Sequence, residues 1–178
     1  DIGADAIKTG MLGSAALVEA VAECLAANVS MIPRVIDPVM IATSGHRLVE
    51  AKGVEAIRSE LVPGARLVTP NAPEAEVLTG KAVETVDGQR RAAEQLLELG
   101  ANGALVKGGH IPGSKITDVL QTTTGEWICE SPRIETTSTH GTGCVLASAI
   151  AALLAQGESV PDAVEQGRDY LMGAIRAA

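Results

Sequence analysis

The sequence predicts an α/β protein in three layers, with helices on both faces of a mainly parallel sheet, and three observations carry that prediction. Short β-type runs alternate with helical patterns from one end of the chain to the other, as a series of βαβ units requires. The 178 residues are 46% hydrophobic yet contain no Phe, one Trp and one Tyr. The core must therefore be built from Ala, Val, Leu and Ile, which suits helices packed on a buried parallel sheet. Glycine or proline closes most of the helical patterns, and no repeat or low-complexity run marks a second domain. A chain of this length buries roughly 70% of its unfolded surface in one core, so residues 1–178 are read as a single domain.

The elements follow in order. Ala4 to Lys8 reads as a strand, and Ser14 caps a helix through Ala27, with Leu17, Val18, Val21 and Leu25 near one face. Arg34 to Asp37 is the next strand. After a loop of small and polar residues, Met40 to Leu48, a helix runs from Val49 to Leu61 and stops at Pro63-Gly64. Arg66 to Thr69 is a strand. Pro73 suits the first turn of a short helix that ends at Leu78 before Gly80, and Asp87 caps another that reaches Leu99. Ala104 to Lys107 is the following strand. Two β-type runs, Asp118 to Thr122 and Glu126 to Cys129, flank Thr124-Gly125, so a β-hairpin is expected over 117–130. A helix from Gly143 to Ala155 and a last one opened by Pro161 complete the chain.

Composition narrows the function classes. A net charge of −8 and the absence of a basic stripe exclude a nucleic-acid binder, which must displace counterions from phosphates. They do not exclude a phosphorylated small molecule, because backbone N–H groups and a bound metal hold phosphate inside acidic proteins. Cys24, Cys129 and Cys144 are widely spaced and form no metal-ligand pattern, as suits a reducing cytoplasm. The apolar run Val145 to Ala155 is too short to span a membrane, so no membrane association is expected.

The residues that could carry chemistry lie at turns. His140-Gly141-Thr142-Gly143-Cys144 sits where a loop becomes a strongly apolar helix. Unpaired N–H groups point outward there, two glycines admit a close ligand, and the helix dipole adds about half a positive charge. A thiol in the first turn, Cys144, can have its pKa lowered and become a usable base or nucleophile. An ordinary loop-to-helix junction with a buried structural cysteine is the competing reading. Asn71-Ala72-Pro73-Glu74 follows the strand ending Val68-Thr69, and Asp37-Pro38 ends an earlier strand. Ligands of open α/β sheets bind at such carboxyl ends, and two carboxylates there can hold Mg²⁺ through water. A helix cap and an Asp-Pro turn account for the same residues equally well. Val106-Lys107-Gly108-Gly109-His110 puts a lysine at a third strand end, where it can pair with phosphate or simply be solvated. His46 and His110 read as loop residues.

Together these segments resemble the hydroxymethylpyrimidine/phosphomethylpyrimidine kinases of the ribokinase-like superfamily along essentially the whole chain. Ile7 to Gly13, Asp37 to Met40, Thr69 to Ala75, Val106 to His110 and Thr139 to Cys144 occur in the family's order. The resemblance implies an ATP-dependent, Mg²⁺-assisted kinase that phosphorylates an aminopyrimidine and its monophosphate in thiamine biosynthesis. Gly141, Thr142 and Gly143 would then be the anion hole, with Cys144 in the place of the aspartate base of ribokinase-like sugar kinases. Asn71 and Lys107 would contact nucleotide or phosphate, Asp37 and Glu74 would organise Mg²⁺, and Met11 and Val39 would line the pyrimidine pocket. A homodimer is implied as well. Pyridoxal kinase of the same superfamily and a non-catalytic pyrimidine-binding domain are the alternatives. Thr43 stands where the family usually has a lysine, and His46 where an acidic residue is usual. The family's first segment and C-terminal tail lie outside residues 1–178, so these residues alone are expected to turn over hydroxymethylpyrimidine poorly or not at all.

Overall fold

The computed structural model describes residues 3–28, 31–42, 46–136 and 141–177. Its six strands are β1 (Ile7–Thr9), β2 (Arg34–Ile36), β3 (Leu67–Val68), β4 (Gly103–Val106), β5 (Lys115–Thr122) and β6 (Gly125–Pro132). They form one sheet in the order β1-β2-β3-β4-β5-β6. The first four are mutually parallel, and the hairpin β5–β6 is added antiparallel beside β4. The helices are α1 (Ala15–Asn28), α2 (Ala51–Ala56), α3 (Ala72–Thr79), α4 (Val86–Glu98), α5 (Thr142–Ala155) and α6 (Val160–Ala177).

Side chains of successive strand residues point to opposite faces, and here both faces are apolar. Ile36, Val68, Ala104 and Val106 pack into one cluster with Val18 of α1, Leu78 of α3 and Leu96 of α4. Val35, Leu67, Leu105 and Leu120 pack into a second with Leu146 and Ile150 of α5 and Ala163 and Val164 of α6. Two cores separated by a sheet buried on both sides are the three layers expected from the sequence. Gly167 lets α6 press on α5: a Cβ there would lie 3.0 Å from Ile150 Cγ1.

Four local expectations are corrected. Asp87 is not the cap of α4. Thr85 is, in an extended conformation, its Oγ1 accepting from Gly88 N at 3.1 Å, while Asp87 pairs with Arg90 on the surface. The helix expected over 49–61 begins at Ala51 and closes in a π-helical turn, Ile57–Leu61. The first strand begins at Ile7 instead of Ala4. Leu17 turns outward and is 46% exposed, and the inner face of α1 is Val18, Ala22 and Leu25.

Because β1 to β4 run parallel, their carboxyl ends share one edge. Thr9, Asp37, Thr69 and Lys107 stand there in succession.

Candidate functional site

Asp37 is the centre of this edge and only 1% exposed. Its Oδ1 accepts from the Thr69 hydroxyl and from Lys107 Nζ, each at 3.2 Å, and Lys8 Nζ lies 3.6 Å from Oδ2. A buried carboxylate demands partners, and the neighbouring strand ends supply two cations. Even so, among the described residues Oδ2 has no hydrogen-bond partner, nor does the buried Thr9 Oγ1.

Glu74 sits in the first turn of α3, where Asn71 is the cap. Asn71 Oδ1 accepts from Glu74 N, and Glu74 Oε2 from Asn71 N, both at 2.9 Å. This reciprocal capping box fixes both side chains. The other oxygen, Oε1, accepts from Met40 N at 3.4 Å and so ties the loop after Asp37 to α3. Burial raises the Glu74 pKa above its ordinary value and Asp37 pushes it further up, against the lowering effect of Lys107 and the two backbone N–H groups.

Lys107 continues β4 by one residue. Its N–H donates to Pro70 O at 2.9 Å, and its carbonyl accepts from Ala72 N at 3.1 Å. The side chain reaches back across the edge to Asp37. It also approaches the first turn of α5, since a Cβ on Gly143 would lie 3.2 Å from Lys107 Nζ. Gly141 caps that helix with φ +78°, a conformation costly for any residue with a Cβ. Cys144 in the first turn is exposed, which removes the reading of a buried structural thiol.

These groups line a cleft of about 470 Å³: Asp37, Val39, Asn71, Glu74, Lys107, Gly141, Thr142, Gly143 and Cys144 all face it. Nine of the ten residues singled out in the sequence are thereby brought together. Met11 is not, being 56% exposed and outside the cleft lining. His46 is exposed, and Thr43, Thr139 and His140 lie outside the described residues. His110 borders the cleft, its pKa lowered chiefly by partial burial and then by the Lys107 and Arg133 charges.

Sequence reasoning misses Lys8, Thr9, Thr69, Asp118, Arg133 and Arg168. Lys8, Thr9 and Thr69 are findable as polar residues at strand ends. Arg133 donates to the carbonyls of Gly109, Ile111 and Gly113 and so clamps the loop after Lys107, a set of contacts between distant positions that no local pattern announces.

The donor set suits a hard cation. Among the described residues no group of three or more His, Cys, Asp or Glu side chains could encage an ion. Two hard carboxylates facing one cleft, one with an unbonded buried oxygen, fit Mg²⁺ held mostly through water and ligand phosphate. No helix of the described residues is long and apolar enough to cross a membrane.

The phosphomethylpyrimidine kinase family model matches residues 1–178. A hydroxymethylpyrimidine/phosphomethylpyrimidine kinase of Streptomyces coelicolor is 46% identical over 177 residues, covering 99% of this chain and 65% of that protein. The solved phosphomethylpyrimidine kinase of Clostridium difficile superposes with a TM-score of 0.86 at 35% identity, over 98% of this chain and 71% of that one. An ADP complex of Bacillus subtilis pyridoxal kinase does so with a TM-score of 0.85 at 35% identity, over 94% and 62%. The chain thus spans 65% of the length of the Streptomyces relative, and its fold is ribokinase-like, as the sequence leads one to expect.

Proposed function

The chain belongs to the phosphomethylpyrimidine kinase family, and from that premise we propose that it forms the phosphoryl-transfer part of an ATP-dependent kinase of thiamine biosynthesis. The substrates are 4-amino-5-hydroxymethyl-2-methylpyrimidine and then its monophosphate. One observation supports this beyond kinship: Lys107, 3.2 Å from Asp37, also approaches the glycine turn that opens α5. A cation, a metal-competent carboxylate pair and an array of helix N–H groups face one cleft, which is what charge neutralisation of a transferring phosphoryl group needs.

In this reading the N–H groups of Gly141, Thr142 and Gly143 hold phosphoryl oxygens, and Lys107 follows the transferring phosphate as a point charge. Asn71 contacts the nucleotide phosphates from the start of α3. Cys144 takes or relays the proton of the attacking hydroxyl. Val39 contacts the pyrimidine. Asp37 and Glu74 would hold Mg²⁺ through water, and the ion would supply further charge neutralisation.

The likeness to a pyridoxal kinase at 35% identity favours one second reading, phosphorylation of pyridoxal or pyridoxine. A substrate panel on the full-length protein with Mg-ATP separates the two: we expect preferred turnover of the pyrimidine, and preferred turnover of pyridoxine would overturn it. Binding of the pyrimidine by calorimetry with no turnover would make the protein a non-catalytic binder. Cys144→Ala in the same assay is expected to lower kcat about 10²- to 10⁴-fold, and an unchanged kcat removes Cys144 from proton transfer.

A further inference from the structure

Strand β4 ends at Val106, yet Gly108 beyond it is fixed more tightly than a loop residue needs to be. Its N–H donates to Asp118 Oδ1 at 2.8 Å. A Cβ on Gly108 would lie 2.0 Å from the carbonyl oxygen of Thr117, so only glycine fits. Gln89 of α4 is 1% exposed, and its Nε2 donates to Val106 O at 2.9 Å and to Thr117 O at 2.8 Å, stapling the end of β4 to β5. Its Oε1 is buried without a hydrogen-bond partner among the described residues. Asp118 is held from the far side by Arg168 of α6, whose Nε donates to Oδ2 at 2.8 Å and whose Nη2 donates to Cys129 O at 3.1 Å.

Lys107 is therefore gripped on both flanks. Pro70 O and Ala72 N hold its backbone on the β3 side, and on the other side three elements, α4, β5 and α6, converge on the residues next to it. Its side chain reaches both Asp37 at the sheet edge and the Gly143 turn that opens α5. Arg168 and Asp118 also line the cleft, so the brace is continuous with the site and not a remote piece of the core.

We infer that Asp118, Arg168 and Gln89 are positioning residues that set the placement of Lys107 through Gly108, so that the sheet edge and the glycine turn meet at one ammonium group. The inference rests on the kinase reading for its role in turnover, but the coupling to Lys107 stands apart from it. It predicts non-additivity, because a residue acting only through Lys107 has nothing left to act on once that side chain is gone.

The test is a double-mutant cycle in the full-length protein with Asp118→Asn and Lys107→Ala. Asn keeps an oxygen for Gly108 N and loses the charge that holds Arg168. Asp118→Asn alone should lower kcat about tenfold, the scale on which small misplacements of a reacting group act. In the Lys107→Ala background the same change should alter kcat less than about twofold. The cycle is read in parallel as affinity for a non-hydrolysable ATP analogue, which requires no turnover. If wild type binds the analogue but does not turn over the pyrimidine with Mg-ATP, the kinase reading fails while non-additive affinities still support the brace. Equal losses in both backgrounds, in both readouts, would overturn it, as would an Asp118→Asn protein with wild-type kcat and affinity. Should Asp118→Asn not fold, Arg168→Lys replaces it in the same two backgrounds, where non-additive losses support the brace and equal losses overturn it.

Discussion

Glu74 lies 3% exposed at a helix N-terminus, beside a lysine and two N–H donors, a setting that would ordinarily favour its anion. Burial outweighs these and raises its pKa above 4.5, with Asp37 adding to the rise. The sign of the consequence for stability follows from proton linkage. With the folded pKa above the unfolded one, the folded state binds the proton more readily, so this contribution is fully present below the unfolded value and is lost as pH rises through the folded value. Glu74→Gln cannot titrate, and its amide oxygen can still accept from Asn71 N. In urea unfolding without divalent metal, the variant should lose less stability than wild type as pH is raised from about 4.5 to 7. An identical pH slope in the two proteins would show that Glu74 does not carry the linkage. The same residue thus has the ionisation cost that a cation in the cleft would relieve, in line with the proposed Mg²⁺ role.

At the scale of elements, the pattern of apolar residues and breakers reveals much and misses specific things. Every strand and helix read from the sequence exists, because β4, Gly103–Val106, is buried along its whole length and α5 carries Leu146, Ala147, Ile150, Ala151 and Leu154 on one stripe. The hairpin is legible from the two β-type runs, but its two-residue turn is Thr123-Thr124 rather than Thr124-Gly125, since Gly125 already pairs with Thr122 as the first residue of β6. The cap of α4 is not legible, since Thr85 and Asp87 are both good capping residues and only the extended backbone at Thr85 chooses between them. The π-helical turn at Ile57–Leu61 has no local signal either. For the site, turns that follow strands mark Asp37, Asn71, Glu74 and Lys107, because parallel strands put their carboxyl ends on one edge. Arg168 and Asp118 stay hidden: neither belongs to a local motif, and their meeting joins positions 50 residues apart. Met11 is marked only by resemblance and stands outside the cleft lining.

For the whole molecule, the sheet separates two cores that share strands but not side chains. Ile36 of β2 belongs to the layer of α1 to α4, and Ile150 of α5 to the layer that carries the glycine turn, and both are essentially inaccessible to solvent. Removing one methylene from either leaves a small void that its own layer must absorb, at a cost of about 1 kcal/mol for Ile→Val. A close-packed interior transmits such strain locally, and the strand backbones between the layers are held by their own ladder of hydrogen bonds. Ile36→Val and Ile150→Val should therefore each destabilise by about 1 kcal/mol in urea, and the double variant by their sum to within about 0.5 kcal/mol. A coupling well above that would mean that the sheet relays packing changes from one layer to the other. Additivity would instead mean that the layer bearing Gly141 to Cys144 can be repacked without disturbing the one that seats Glu74, leaving Lys107 and Asp37 at the sheet edge as the place where the two layers meet.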